Sequence, residues 1–225
     1  MLASFSSFAS NDYSQNTYGS IGLIQTPTAR FSDDGEFLFG TSTQTPYNRL
    51  YSKMQFFPWM EAVLRYTEGE YKEYANGIDQ TWKDKGLDLK FRILKEGKIL
   101  PSVALGFSDL GGTGAYSSEY IVASKNYNNI DLTLGMGWGL LAGPNHIKNP
   151  LIWIDENRKL RGGYNPLGGQ ISLSRLFSGE NIAIFGGVEY KTPIDGLSLK
   201  MEYDPTDYTD VIGKEKEFRK EVDYT

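Results

Sequence analysis

The chain has 225 residues, enough for one large all-β domain, and its 23 basic and 28 acidic side chains leave a net charge of −5, without the basic stripe that a general nucleic-acid binder needs. It holds no cysteine, which removes disulfide frameworks, thiolate metal sites, cysteine nucleophiles and acylated cysteines. No apolar run reaches the roughly 18 residues of a transmembrane helix, a test that does not reach membrane β-barrels, whose strands of about 9–11 residues are half polar.

In chain order, the first ten residues carry Ser7 and Ala9 at the spacing of a signal-peptidase site. Residues 1–18 are expected to be a signal-peptide remnant or a disordered N-terminus. A short element around Gly19–Pro27 follows, and then strict alternation of apolar and polar residues, the period of a β-strand. It predicts strands at 36–43, 49–57, 60–67, 86–94, 99–107, 118–125, 130–138, 170–177, 182–190 and 196–203. Turn chemistry separates them at Pro58-Trp59, Glu96-Gly97-Lys98, Asn128-Asn129, Ser178-Gly179-Glu180-Asn181 and Pro193-Ile194-Asp195-Gly196. Long loops are expected at 68–85, 108–117 and 139–169, so short turns alternate with long loops, as in outer-membrane barrels. Residues 19–204 form the expected barrel domain, and 205–225 a charged tail or the start of a further region.

Alternation leaves one face of each strand apolar, and that face meets either a dry core or lipid. Aromatic residues at strand ends (Phe56, Phe57, Trp59, Tyr66, Phe107, Tyr120, Tyr127, Trp138, Phe177, Tyr190 and Tyr203) match interfacial girdles. Charge then sets the facing. A basic side chain on lipid at mid-depth costs about 2–4 kcal/mol, against a total domain stability of roughly 5–15 kcal/mol. The charged faces must therefore line a lumen: Glu61, Arg65, Asp88, Lys90, Arg92, Glu189, Lys200 and Glu202 are the candidates. Leu87, Leu89, Phe91, Leu132, Leu134, Ile184, Val188, Leu197 and Leu199 take the lipid side. Gly135 and Gly137 lie on the polar face of strand 130–138, either as a wall that something approaches closely or as a barrel corner.

Residues 101–138, PSVALGFSDLGGTGAYSSEYIVASKNYNNIDLTLGMGW, together with YGSIGLIQTPTAR at 18–30 and FGGVEYKTPIDGLSLKMEYD at 185–204, resemble the YjbH/GfcD family of outer-membrane β-barrel proteins. The resemblance implies a Gram-negative outer-membrane protein acting with export machinery for exopolysaccharide, capsule or O-antigen. It also implies a protein longer than this chain. Some members of the family are lipoproteins, whereas this sequence offers no cysteine to acylate.

The loop Asp109, Gly111, Gly112, Thr113, Gly114 has the look of a phosphate cradle, but no helix follows it, and a tight or inward-folded loop is expected instead. Asp109 and Thr113 can cap that turn or touch a hydroxylated ligand. His146, the single histidine, has no serine paired with it by sequence, Ser172 and Ser174 included. No enzymatic activity, metal or cofactor is expected. Trp82, Tyr116, Trp153 and Tyr164 are loop aromatics able to stack on sugar rings. The fold expected is an all-β, antiparallel transmembrane barrel of about 10–12 strands, an incomplete part of a longer chain being one possibility. Its expected place is the bacterial outer membrane. Its expected partners are outer-membrane lipid, a surface polysaccharide and export proteins of the periplasm or outer membrane, with no nucleic acid. The alternatives are a soluble glycan- or lipid-binding barrel and an outer-membrane enzyme.

Overall fold

The computed structural model describes residues 13–73, 79–143, 146–161, 171 and 173–206. Its strands are β1 (Phe37–Gln44), β2 (Tyr47–Phe57), β3 (Met60–Glu73), β4 (Thr81–Leu94), β5 (Ser102–Ser108), β6 (Ser118–Tyr127), β7 (Ile130–Gly139), β8 (Ile147–Lys148), β9 (Asn181–Lys191) and β10 (Ser198–Tyr203). They form one antiparallel sheet in the order β1-β2-β3-β4-β5-β6-β7-β9-β10, with the short β8 on β9. Among the described residues helix is limited to three 3₁₀ turns, at Pro150–Trp153, Glu156–Lys159 and Leu173–Arg175. No helix is long and apolar enough to cross a membrane, which says nothing of crossing by strands.

Two-residue turns set the register at one end. Asn128, in the left-handed conformation, and Asn129 bring Tyr127 opposite Ile130, and Pro58-Trp59 joins β2 to β3. The turns 95–101 and 192–197 lie at the same end. The β1–β2 turn and the loop 109–117 lie at the other, the end at which β3 gives way to β4 and β7 to β9.

The chain departs from the predicted elements in two places. β3 and β4 run well into the expected loop 68–85, pairing Glu68 with Lys83 and Thr67 with Asp84. Charged residues crowd this stretch (Glu68, Glu70, Lys83, Asp84 and Lys85), so the alternation that marks a strand fades although the ladder continues. Among the described residues of the strand expected at 170–177 none is in a strand: Leu173–Arg175 is a 3₁₀ turn and Phe177 has a positive φ of 57°. Phe177 instead packs edge-on against Phe107 and Trp138.

Burial runs opposite to that of a water-soluble protein. On β2, Arg49, Tyr51, Lys53 and Gln55 are buried while Leu50, Met54 and Phe56 are exposed. On β7, Asp131 and Thr133 are buried while Ile130, Leu132 and Leu134 are exposed. What covers the polar face is the segment from Tyr13 to Ser32. It rises to a tight turn at Asn16–Gly19 and returns, held to itself by bridges Gln15–Ile21 and Gly22–Pro27. It bonds β1 through Ser42, β2 through Lys53 and Gln55, β3 through Glu61, β4 through Lys90, β5 through Ser102, β6 through Ser124, β7 through Asp131 and β10 through Lys200 and Glu202. Nine strands spaced about 4.8 Å apart would span roughly 40 Å if flat. A single hairpin reaches both edges only because the sheet curls around it.

One expectation changes accordingly. The sheet is not closed into a barrel, since its path ends at β1 and β10 without pairing them. Residues 13–18 belong to the interior segment. Residues 1–12 and 207–225 lie outside the described residues.

Candidate functional site

The inner face and the segment it surrounds are joined by charged groups that burial forces into pairs. Arg30 donates from Nε to Asp131 at 2.8 Å and pairs Glu96 at the short-turn end. Lys53 pairs Glu36 at 2.9 Å, and Lys90 pairs Glu61 at 3.1 Å while Ser20 also donates to Glu61. Glu202 accepts from the backbone N–H groups of Ile24, Gln25 and Thr26 at 3.0, 2.8 and 3.1 Å, and from the Thr26 hydroxyl. Lys200 donates to Ser14, to the Gly22 and Leu23 carbonyls, and lies 3.9 Å from Glu189. Arg92 stacks on Phe31, its charge 4.4 Å from the ring centre. Glu61, Arg65, Asp88, Lys90 and Glu189 are buried on the inner face, as the alternation requires, and Arg92, Lys200 and Glu202 are half-buried there.

The glycines are a different case. A Cβ on Gly135 would stand 2.2 Å from the Phe185 ring, and one on Gly137 2.5 Å from Leu141. Gly106 similarly makes room for Tyr120. These positions are filled by side chains of the small apolar cluster Ala29, Phe31, Ala104, Tyr120, Val122, Leu141 and Phe185, so the stripe is packed rather than open. Tyr120 therefore points inward instead of joining a girdle.

At the long-loop end the loop 109–117 folds inward, as the glycines suggested. Asp109 has a φ of 53°, donates its N–H to Asp88 at 2.8 Å and accepts from the Tyr116 N–H at 3.1 Å. Gly112 lies against it so closely that a Cβ would stand 1.7 Å from its Oδ1, and a Cβ on Gly114 would meet the Arg175 guanidinium at 2.1 Å. A Cβ on Gly111 would meet nothing within 4 Å. Thr113 donates its hydroxyl to Asp84. Burial first, then the neighbouring Asp84 charge, push the Asp109 carboxyl up to about 7 against the pull of Arg65. Burial also raises the Tyr116 phenol, which stays protonated.

Around this loop Arg65, Asp88, Trp82 and Tyr116, expected from the sequence, meet Arg49, Tyr18, Tyr47 and Asp84, which sequence reasoning passed over. Arg65 pairs Asp88, and its charge lies 5.1 and 5.4 Å from the rings of Tyr18 and Tyr116. Arg49 lies 4.5, 5.3 and 5.9 Å from Tyr18, Tyr47 and Tyr116. Trp82 and Tyr116, which the sequence offered as loop aromatics able to stack on sugars, are buried with Tyr47, and Trp82 lies on β4. A cavity of about 40 Å³, room for a water or two, is lined by Tyr18, Ser20, Arg65, Asp88 and Tyr116 among others. Arg49 continues the polar face of β2 and was legible from that alternation. Asp84 fell in an expected loop, where no signal marked it.

The long loop between β7 and β9 covers the outer face at this same end. Arg161 pairs Glu119 at 2.8 Å and bonds Ser117 and the Arg175 and Ser178 carbonyls. His146 stacks on Tyr203, Trp153 is exposed, and Ser172 and Tyr164 lie outside the described residues. No group of three His, Cys, Asp or Glu among the described residues gathers as a metal-ligand set.

The family model described as "Exopolysaccharide biosynthesis protein YbjH" matches residues 14–222. The chain is 42% identical to the "Uncharacterized lipoprotein YjbH" of Escherichia coli (strain K12) over 206 residues, covering 89% of this chain and 29% of that protein. It thus spans less than a third of that relative's length. No solved structure matches it.

Proposed function

Because the chain belongs to the YjbH family of exopolysaccharide biosynthesis proteins, we propose that it forms the wall and internal plug of an outer-membrane β-barrel that assists export or surface assembly of a polysaccharide. The observation that carries this reading is the reversed burial of β2 and β7, with Arg49, Lys53 and Asp131 inside and Leu50, Met54, Leu132 and Leu134 outside. Monomeric soluble proteins rarely expose contiguous apolar patches larger than a few hundred Å² (~300–600 Å²). Here Phe37, Phe39, Leu50, Met54 and Leu64 are exposed on three neighbouring strands. With ten residues from Ile130 to Gly139, β7 has the length of a membrane-crossing strand, about 9–11 residues when tilted. A soluble ligand-binding barrel would turn that apolar face inward around its pocket, and the polar interior speaks against it.

In this role outer-membrane lipid surrounds the wall, and export proteins of the periplasm or outer membrane are the partners. The role is non-catalytic. The test is complementation of a strain lacking the gene, with membrane fractionation and surface polysaccharide measured in the same cells. The chain partitions with outer membranes, restores the polymer, and does so equally with His146→Ala. Recovery in the soluble fraction without detergent defeats the barrel reading. Loss of polymer with His146→Ala in an assembled protein favours an enzyme.

A further inference from the structure

We infer that Arg49, with the rings of Tyr47 and Tyr116, forms a closed subsite for a carboxylate-bearing sugar residue, occupied in this structure by the Tyr18 ring at the tip of the internal segment. The inference rests on the polysaccharide reading above and deepens it.

Arg49 is 2% exposed, yet no acidic side chain pairs with it among the described residues. Its one hydrogen bond goes from Nη1 to the Gln44 side chain at 3.3 Å. Its Nε and Nη2 have no partner. These two nitrogens form the side edge of the guanidinium, the edge that takes both oxygens of a carboxylate in parallel hydrogen bonds. Arg65 is different, because Asp88 already neutralises it. The buried Tyr116 hydroxyl, likewise without a partner, adds a polar group at the same place. The Tyr47 and Tyr116 rings supply flat apolar faces on which a sugar ring can stack, in the place where the Tyr18 ring now lies on Arg49 at 4.5 Å. With Asp84, Asp88 and Asp109 close by, a singly charged carboxylate fits better than a phosphate dianion.

The tip can yield. Tyr18 is only half-buried, in a turn closed by Gly19 at a φ of 93° and by the Asn16 side chain, and the nearby Thr17 carbonyl accepts from Ser42 of β1. The cavity beside it, at about 40 Å³, is too small for a sugar ring, so entry requires Tyr18 to leave.

The test is titration calorimetry on the detergent-solubilised full chain with tetragalacturonate, maltotetraose and inorganic phosphate. Tetragalacturonate should bind at least about tenfold more tightly than maltotetraose, as expected when a charged hydrogen-bonding pair is gained. Arg49→Gln should abolish that preference, and Tyr18→Ala, which leaves every charge in place, should tighten tetragalacturonate binding several-fold. Binding by Tyr18→Ala alone supports the closed subsite equally. Equal affinity for the neutral oligosaccharide, tighter binding of phosphate, an unaffected Arg49→Gln, or no tightening in Tyr18→Ala overturns it. If Arg49→Gln fails to assemble, Tyr18→Ala decides. Failure of binding with membrane placement and polymer display intact removes this inference and leaves the export reading standing.

Discussion

Single carboxylates decide how the interior is held. Glu202 satisfies three consecutive backbone N–H groups of the internal segment, and hydrogen bonds to a charged group contribute roughly 1.5–3 kcal/mol. Glu202→Gln should therefore leave the sheet intact while speeding amide exchange at residues 20–28, measured by mass spectrometry. Asp109 carries a pH dependence of known sign. Its carboxyl titrates near about 7 in the fold and near 3.9 in an unfolded chain. Between those values the folded state keeps a proton that the unfolded chain releases. The contribution of Asp109 to stability is greatest below about pH 4, falls as pH rises to about 7, and is level above. Protease cleavage in 109–117 should follow that curve, and Asp109→Asn should flatten it. At Gly135 the Phe185 ring leaves no space, so Gly135→Ala should lower the melting temperature by an overpacking cost of about 1–3 kcal/mol. The tolerance of Gly135→Trp that an open glycine wall would allow is not expected.

At the scale of the element, a strand's two faces answer to different solvents. Leu134 of β7 is exposed and its neighbours Thr133 and Gly135 are buried. Leu134→Arg should block membrane assembly, since a basic group at mid-depth costs about 2–4 kcal/mol. Lys200→Leu should assemble, but with a loosened segment, because Lys200 holds the Gly22 and Leu23 carbonyls. The check is heat-modifiable gel mobility for assembly, with protease access to residues 13–32 for the segment. An assembled Leu134→Arg protein would refute the facing. The elements also show why the long-loop end was hard to read. β3 and β4 continue into a stretch where Glu68 faces Lys83 and charged residues crowd around the single buried Trp82, so no run of alternation marks the strands.

Over the whole molecule, the curled sheet has two edges, β1 and β10, and an internal segment that bonds both. Exposed sheet edges are templates for further pairing, and their unpaired backbone groups are costly in lipid, so on the membrane reading proposed above the apolar outer wall needs β1 and β10 to pair with further strands. The purified chain should be monodisperse in detergent and aggregate on its removal, as read by light scattering. Stable monomers in plain buffer would contradict the outer wall's role.

The amino-acid sequence by itself determined the strands, their facing and the polar character of the interior. The reason is that side chains two residues apart share a face, and a charge cannot rest on an apolar surface. Lys90, Arg65 and Glu189 were legible for that reason, as was the family from three ordered motifs. Only the tertiary structure decided what those side chains meet. Arg30 reaches Asp131 across 101 positions and Glu202 reaches Thr26 across 176. The gathering of Arg49, Tyr18 and Tyr116 joins a strand, a hairpin tip and a loop. Nor did alternation say that Phe185 and Leu141 fill the space beside the glycines, or that β1 and β10 stay unpaired. Such contacts depend on how far the sheet curls, which is set by packing between distant segments and leaves no period in the chain.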